Sequence, residues 1–376
     1  MAHKGIISIP SELITEILYR LPSKSVGRFR SVSKEWLSPL SSPEFIKTHQ
    51  NTLNRNYLFF RLSSSNEINF IPFHYHAEAN KEEEEESVPT KFQLQFHNNK
   101  RIHGSCNGLV LLSAFRLCSG HETLIISNPT TREFVELPDC DFKIEGHRFV
   151  YFIMRDLGYD SVTDDYKVVT INRFQNPTDD DLIMCVHVYS LRRNTWTRVI
   201  DFPDKYHWPR IRSKALVNGS FHWVAYNVPD QTKVIVAFNL ADENFSEVPS
   251  PTLSNGNDLD IFYKTCRVVV VDEKLAIFLL YEGEVWLMNE YGVKGSWTKI
   301  KLYGLEQIHM FDIRFVFYGN GKLVLVCDNE MLLFDIEDGR LSKRIDTSGY
   351  RYPRADTHFS CVCVESLVSP IFNRVN

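Results

Sequence analysis

Between Ser11 and Leu21 the apolar positions Leu13, Ile14, Ile17, Leu18 and Leu21 recur at helical spacing, which predicts an amphipathic helix. Ser11 is its expected cap, Glu12 favours the first turn and Pro22 stops it. Val26, Phe29 and Val32 predict a second helix, and Ser33 ahead of Lys34, Glu35, Trp36 and Leu37 predicts a third. Three helices within about forty residues leave much of their apolar surface uncovered. The surplus Leu, Ile and Trp side chains therefore need a partner or the rest of the chain.

From Tyr57 the pattern changes to short aromatic and branched runs bounded by polar turns, beginning with Tyr57-Leu58-Phe59-Phe60 and Ile68-Asn69-Phe70-Ile71, and these read as strands. An insertion between His74 and Lys91 carries five consecutive glutamates, Glu82 to Glu86. Like charges at that density resist packing, so an acidic loop over residues 78–88 is expected to be solvated and mobile. Beyond it an apolar pair, a turn and an aromatic or apolar exit strand recur. With Asn128, Ser190, Asn239, Asn289 and Asp335 as markers, the gaps are 62, 49, 50 and 46 residues. Other strands stand between, such as Gly108 to Leu112 and Ser220 to Val224, entered through Asn107-Gly108 and Asn218-Gly219 turns that require positive φ. Four strands per unit at this pitch predict a β-propeller of about six blades. The last run, Phe359 to Val364, is expected to complete the first blade; an open stack of sheets is the alternative.

Composition narrows the function. The net charge of −5 divides into +3 over residues 1–50 and −8 over the remainder. A basic small module suits an acidic protein partner, and a mildly acidic body argues against nucleic-acid binding. The eight cysteines show no two-residue gap of a zinc knuckle or redox site, so they are expected to be reduced and buried. With no signal-peptide core and no apolar run of membrane-spanning length, the expected compartment is cytoplasmic, nuclear or both, with no membrane partner. His74 and His76 share a strand face without a carboxylate or thiol cluster nearby, and neither a metal nor any other cofactor is expected. His103 near Cys106 has the residue types of a thiol nucleophile, but Ser105-Cys106-Asn107-Gly108 reads as a turn; Asp164-Asp165 and Asp179-Asp180-Asp181 likewise read as solvated turns. No catalytic residue is assigned.

The N-terminal residues Ile9-Pro10, Ile17-Leu18-Tyr19-Arg20-Leu21-Pro22, Arg28-Phe29-Arg30-Ser31-Val32-Ser33-Lys34-Glu35-Trp36 and Ser42-Pro43-Glu44-Phe45 resemble, in order, the pattern of an F-box. Ile9 departs from the usual Leu. Gly27 stands where an aliphatic residue is usual and costs the second helix about 1 kcal/mol relative to Ala. Gly104 to Leu109, Asn128-Pro129-Thr130-Thr131-Arg132, Leu157-Gly158-Tyr159-Asp160, His222-Trp223, Ser296-Trp297-Thr298-Lys299 and Glu365-Ser366-Leu367 resemble the F-box-associated domain of the plant F-box and F-box/kelch-repeat group. The resemblance implies a three-helix F-box at residues 1–50 and, at 51–376, a kelch-like β-propeller that holds a protein substrate. The kelch double glycine is missing.

It further implies docking to a Skp-type adaptor, and through it to the cullin and RING subunits of a ubiquitin ligase. The residues expected to carry that docking are Ile9, Pro10, Leu13, Ile14, Ile17, Leu18, Leu21, Pro22, Val26, Val32 and Trp36. The expected function is substrate recognition for ubiquitination. A sugar-binding or hydrolytic propeller with a structural helical cap is the alternative. Substrate contact is expected in the loop Tyr206-His207-Trp208-Pro209-Arg210, with Tyr206, Trp208 and Arg210 as anchors, because aromatic and Arg side chains dominate interface hot spots. The loops around Tyr303 and Tyr350 are the next candidates.

Overall fold

The computed structural model describes residues 10–30, 32, 34–53, 56–61, 68–73, 90–92, 98–115, 122–140, 146–176, 182–207, 214–251, 266–305, 308, 313, 315–319, 321–327, 330–346 and 360–371. Ile9, Ser33, His74, His76, the glutamate run, Asp179 to Asp181, Trp208, Arg210 and Tyr350 lie outside the described residues.

Four helices open the chain: α1 (Ser11–Arg20), α2 (Ser23–Arg30), α3 (Lys34–Leu40) and α4 (Pro43–Leu53). Three were expected. The fourth arises because Ser42 Oγ accepts the Phe45 N–H at 3.2 Å while Pro43 occupies the first helical position, where its missing donor costs nothing. Phe45 and His49 then bury the inner side of α4, and His49 Nε2 donates to Leu21 O at 2.9 Å. The cap expected from Ser11 is absent. Pro10 holds the cap position of α1 without a side-chain bond, and Ser11 lies inside the helix. Helix α2 stops at Arg30, so Val32 falls beyond the turn it was expected to extend.

Among the described residues the remaining regular structure is antiparallel sheet, apart from one 3-10 turn at Lys294–Ser296 and a single parallel bridge between Tyr303 and Arg340. The first sheet contains β1 (Asn56–Arg61), β2 (Ile68–Phe73) and β3 (Thr90–Phe92). The second holds β4 (Asn98–Cys106), β5 (Leu109–Phe115), β6 (Glu122–Asn128) and β7 (Glu133–Glu136). The third holds β8 (Arg148–Asp160), β9 (Asp165–Gln175), β10 (Leu182–Ser190) and β11 (Thr195–Asp201). In the fourth, β12 (Tyr206–His207) and β13 (Ala215–Val217) both pair with β14 (Ser220–Asn227), followed by β15 (Thr232–Asn239) and β16 (Phe245–Val248). The fifth is β17 (Cys266–Val271), β18 (Lys274–Leu279), β19 (Glu284–Met288) and β20 (Trp297–Lys301). The sixth is β21 (Phe315–Gly319), β22 (Lys322–Val326), β23 (Glu330–Asp335) and β24 (Leu341–Asp346). Finally β25 (Ser360–Val364) returns to the first sheet, pairing Cys361 with Phe59 and Cys363 with Tyr57. The order β25-β1-β2-β3 means that the last strand is the innermost of the first sheet.

This is a β-propeller. First strands touch first strands of neighbouring sheets, β25 against β4, β4 against β8, β13 against β17 and β17 against β21. The apolar cores lie between sheets rather than within one: Val169, Ile171 and Val188 meet Phe221, Trp223 and Phe238, and Val269, Ala276 and Phe278 meet Leu323, Leu325 and Leu332. At the rim one contact repeats. Trp196 Nε1 at the start of β11 donates to Pro138 O beyond β7, and Trp297 Nε1 at the start of β20 donates to Pro249 O beyond β16, both at 2.9 Å. The N–H of Tyr303, beyond β20, bonds Gly339 O just before β24 at 2.9 Å. Asn107 and Gly108 take φ of 49° and 85°, and Asn218 and Gly219 take 49° and 67°, the positive-φ pairs that two-residue hairpin turns require.

Candidate functional site

The helices bury one side and leave another open. Leu18, Val26, Leu40 and Phe45 form the module's core, with Ile14, Leu21 and Trp36 half-buried around it. Leu13 is 55% exposed, Ile17 54% and Val32 72%, and Phe29 and Leu37 are exposed as well. Phe29 stacks on Trp36 at 5.8 Å. Pro10 is exposed and Pro22 half-buried. The expected docking residues thus divide. Leu18 and Val26 lie in the core of the helices, because the spacing that puts Leu13 and Ile17 on one side of α1 turns Leu18 to the other. The exposed apolar set also contains Phe29 and Leu37, which the sequence pattern does not single out for docking.

Four sequence-distant blocks meet under the helices. Glu365 Oε1 accepts the Ser23 N–H at the start of α2 at 2.7 Å, satisfying a donor that the first turn of a helix cannot pair internally. Arg30 Nη1 donates to Leu367 O at 2.8 Å and its Nε to Leu40 O at 3.0 Å. The Leu367 side chain, 1% exposed, completes the core of the helices. On the propeller side Asn128 Nδ2 donates to Ser366 O at 2.9 Å and Val368 O at 2.6 Å, while its Oδ1 accepts the Thr130 and Thr131 N–H groups. A Cβ added to Gly108 would lie 2.1 Å from Ser366 Cβ, so only glycine admits this approach.

Tyr206 is not an open anchor. It is 4% exposed, packs in the core between the third and fourth sheets, and donates its hydroxyl to Glu247 Oε1 at 2.8 Å, which Lys205 Nζ also contacts at 2.8 Å. The sequence offers Tyr206 as an anchor because aromatic side chains dominate interface hot spots; the same property suits a core, and the short strand β12 places it there. Tyr303 is exposed, at 56%.

The residues with chemical potential are committed to structure. Ser113 Oγ donates to Glu122 Oε1 at 2.6 Å, so His103 Nε2–H donates to Ser113 Oγ at 2.8 Å and is turned away from thiol chemistry. Burial, with Asp156 adding to it, pushes the Cys106 thiol up to about 12. Burial and then the Arg155, Lys214 and Arg101 cations hold His103 well below the ordinary imidazole range. Burial alone would raise the Glu122 carboxyl, but Arg155, whose Nη1 lies 2.7 Å from Glu122 Oε2, and the Ser113 hydroxyl hold it below its usual range. Lys214 Nζ spends its donors on His103 O at 2.7 Å, Arg155 O and Asp156 Oδ2 at 3.0 Å, tying three sheets together. Asp165 accepts the Ser190 hydroxyl and the Arg192 N–H, and Asp164 accepts the Tyr159 hydroxyl at 2.5 Å, so this carboxylate pair locks turns. Among the described residues no group of three or more His, Cys, Asp or Glu could hold a metal ion, and no helix is long and apolar enough to cross a membrane.

Comparison with known proteins follows the same division. Residues 6–47 match the F-box domain, and residues 57–342 match the F-box associated beta propeller domain. The F-box protein CPR1 of Arabidopsis thaliana is 29% identical over 367 residues, covering 89% of this chain and 84% of that protein. An F-box/kelch-repeat protein of the same plant is 24% identical and covers 96% of both chains. Helices that leave large apolar side chains exposed, a ring of antiparallel sheets closed by β25, and these two matches laid end to end have one explanation: the chain belongs to the F-box proteins that carry an F-box-associated β-propeller domain.

Proposed function

We propose that this protein is the substrate-recognition subunit of a ubiquitin ligase of the Skp–cullin–F-box type, acting in the cytosol or nucleus. Its helices dock on a Skp-type adaptor that brings the cullin and RING subunits, and its propeller, whose six sheets we count as six blades, holds a target protein for ubiquitination. The observation that carries this is the exposed set Leu13, Ile17, Phe29, Val32 and Leu37, which the propeller leaves uncovered. A helical cap serving only the propeller would turn those side chains inward, since leaving five large apolar residues exposed on a small module is unfavourable without a partner. The protein's contribution is proximity, which raises the effective concentration of substrate lysines at the transferring enzyme. The test is co-purification with a Skp-type adaptor. Wild type forms a stoichiometric complex, and the Leu13→Asp, Ile17→Asp double variant loses it while keeping its circular dichroism spectrum. A double variant that binds as well as wild type would overturn the assignment.

A further inference from the structure

Among the described residues the helical module meets the ring through the chain after α4 and through a second segment far along the sequence. Residues 54–55 connect α4 to β1, and one covalent link by itself leaves the module free to swivel. The second attachment is the segment after β25. Glu365 and Leu367 reach into the helices, while the carbonyls of Ser366 and Val368 are held by Asn128 and the Ser366 side chain lies against Gly108. The segment thus grips both bodies at once, and Ser366 Oγ reaches α4 as well, donating to Gln50 Oε1 at 3.4 Å. Glu365, Ser366 and Leu367 are all buried, so water does not compete for these bonds.

We propose that the segment Glu365–Val368 fixes the attitude of the docking helices against the propeller, and that Arg30, Asn128 and Glu365 are positioning residues for ubiquitin transfer. The transfer role rests on the adaptor function proposed above; the mechanical role stands on the contacts alone. A substrate held on the ring meets the transferring enzyme through this joint, and transfer to a lysine depends on orientation as well as on capture. A loose joint keeps both binding events and loses the selection of lysines.

The test uses the full chain with spin labels introduced as unnatural amino acids at the exposed positions Lys47 and Lys294. Pulsed dipolar spectroscopy gives one narrow distance distribution for wild type. The Asn128→Ala, Glu365→Ala pair broadens it at least twofold, and Glu365→Gln, which still accepts the Ser23 N–H, keeps it narrow. Glu365→Ala alone serves if the pair unfolds the helices. For transfer, a nanobody epitope inserted between Pro229 and Asp230 holds a lysine-bearing model substrate in the reconstituted ligase. Wild type modifies a few lysines. The variant binds the Skp-type adaptor within threefold of wild type, yet spreads modification over many lysines and slows it several-fold. A distribution that stays narrow in the variant, or an unchanged lysine pattern, overturns the proposal. Failure of wild type to bind any Skp-type adaptor removes the ligase role, while the distance measurement still decides whether the segment fixes the module.

Discussion

Ile17 and Leu18 are sequence neighbours with opposite duties, one exposed and one in the core of the helices. Ile17→Asp is therefore expected to leave the melting temperature within about 1 °C, because surface substitutions usually stay within about 0.5 kcal/mol, while abolishing adaptor binding. Leu18→Ala is expected to cost about 2–5 kcal/mol, through lost transfer energy and the cavity left behind, and denaturant unfolding of the two variants separates these effects. A second residue-scale outcome concerns pH. Burial depresses His187 and His222 to about 4 from an ordinary 6.5, with Arg198 adding to the effect at His187. The unfolded chain takes up protons below 6.5 that the folded imidazoles refuse until about 4. Stability is thus full above 6.5 and drains as the pH falls towards 4, by roughly 3 kcal/mol for His222 and by less for His187, where solvent screens the effect. Urea midpoints measured between pH 7 and 4 check this. His222→Gln is expected to flatten the curve by one group's share, since Nε2 of His222 contacts only the Tyr291 hydroxyl, at 2.8 Å, among the bonds described for that nitrogen.

At the scale of elements, helix α2 carries a correctable weakness. A Cβ at Gly27 would meet nothing within 4 Å, and Gly27 is not among the positive-φ residues. Gly27→Ala is expected to stabilise the helices by about 1 kcal/mol, read as a higher midpoint of their unfolding. Gly108→Ala is expected to do the reverse. It strains a residue at φ 85° and drives a methyl into Ser366, so calorimetry should show a lower melting temperature with the helices loosened first. The helices and the blade pitch were legible in sequence because both are periodic: Leu13, Ile14, Ile17 and Leu18 announce a helix, and the turns near Asn128, Ser190, Asn239, Asn289 and Asp335 announce a repeat. Helix α4 was missed because its signal is a cap and a proline, Ser42-Pro43, rather than an apolar stripe. The joint was illegible for a different reason. Glu365 meets Ser23 across 342 residues, and a carboxylate bonded to a backbone N–H leaves no periodic trace. The residues were visible as family-like blocks; their meeting place was not.

For the whole molecule, the ring closes through β25, which pairs with β1. Removing residues 360–376 takes away the innermost strand of the first sheet and the segment that completes the helical core. The truncated chain is expected to lose cooperative unfolding, giving a broad or split calorimetric transition in place of one peak. The same arrangement sets an order of events during synthesis. At roughly 5–20 residues per second the helices leave the ribosome tens of seconds before Leu367 is made. During that interval α2 lacks the carboxylate that receives its first N–H, and the core around Val26 and Phe45 stands open on one side. A message cut short before the codon for Glu365 therefore yields helices that never close, and such unfinished apolar surface is what chaperones and proteases sort by.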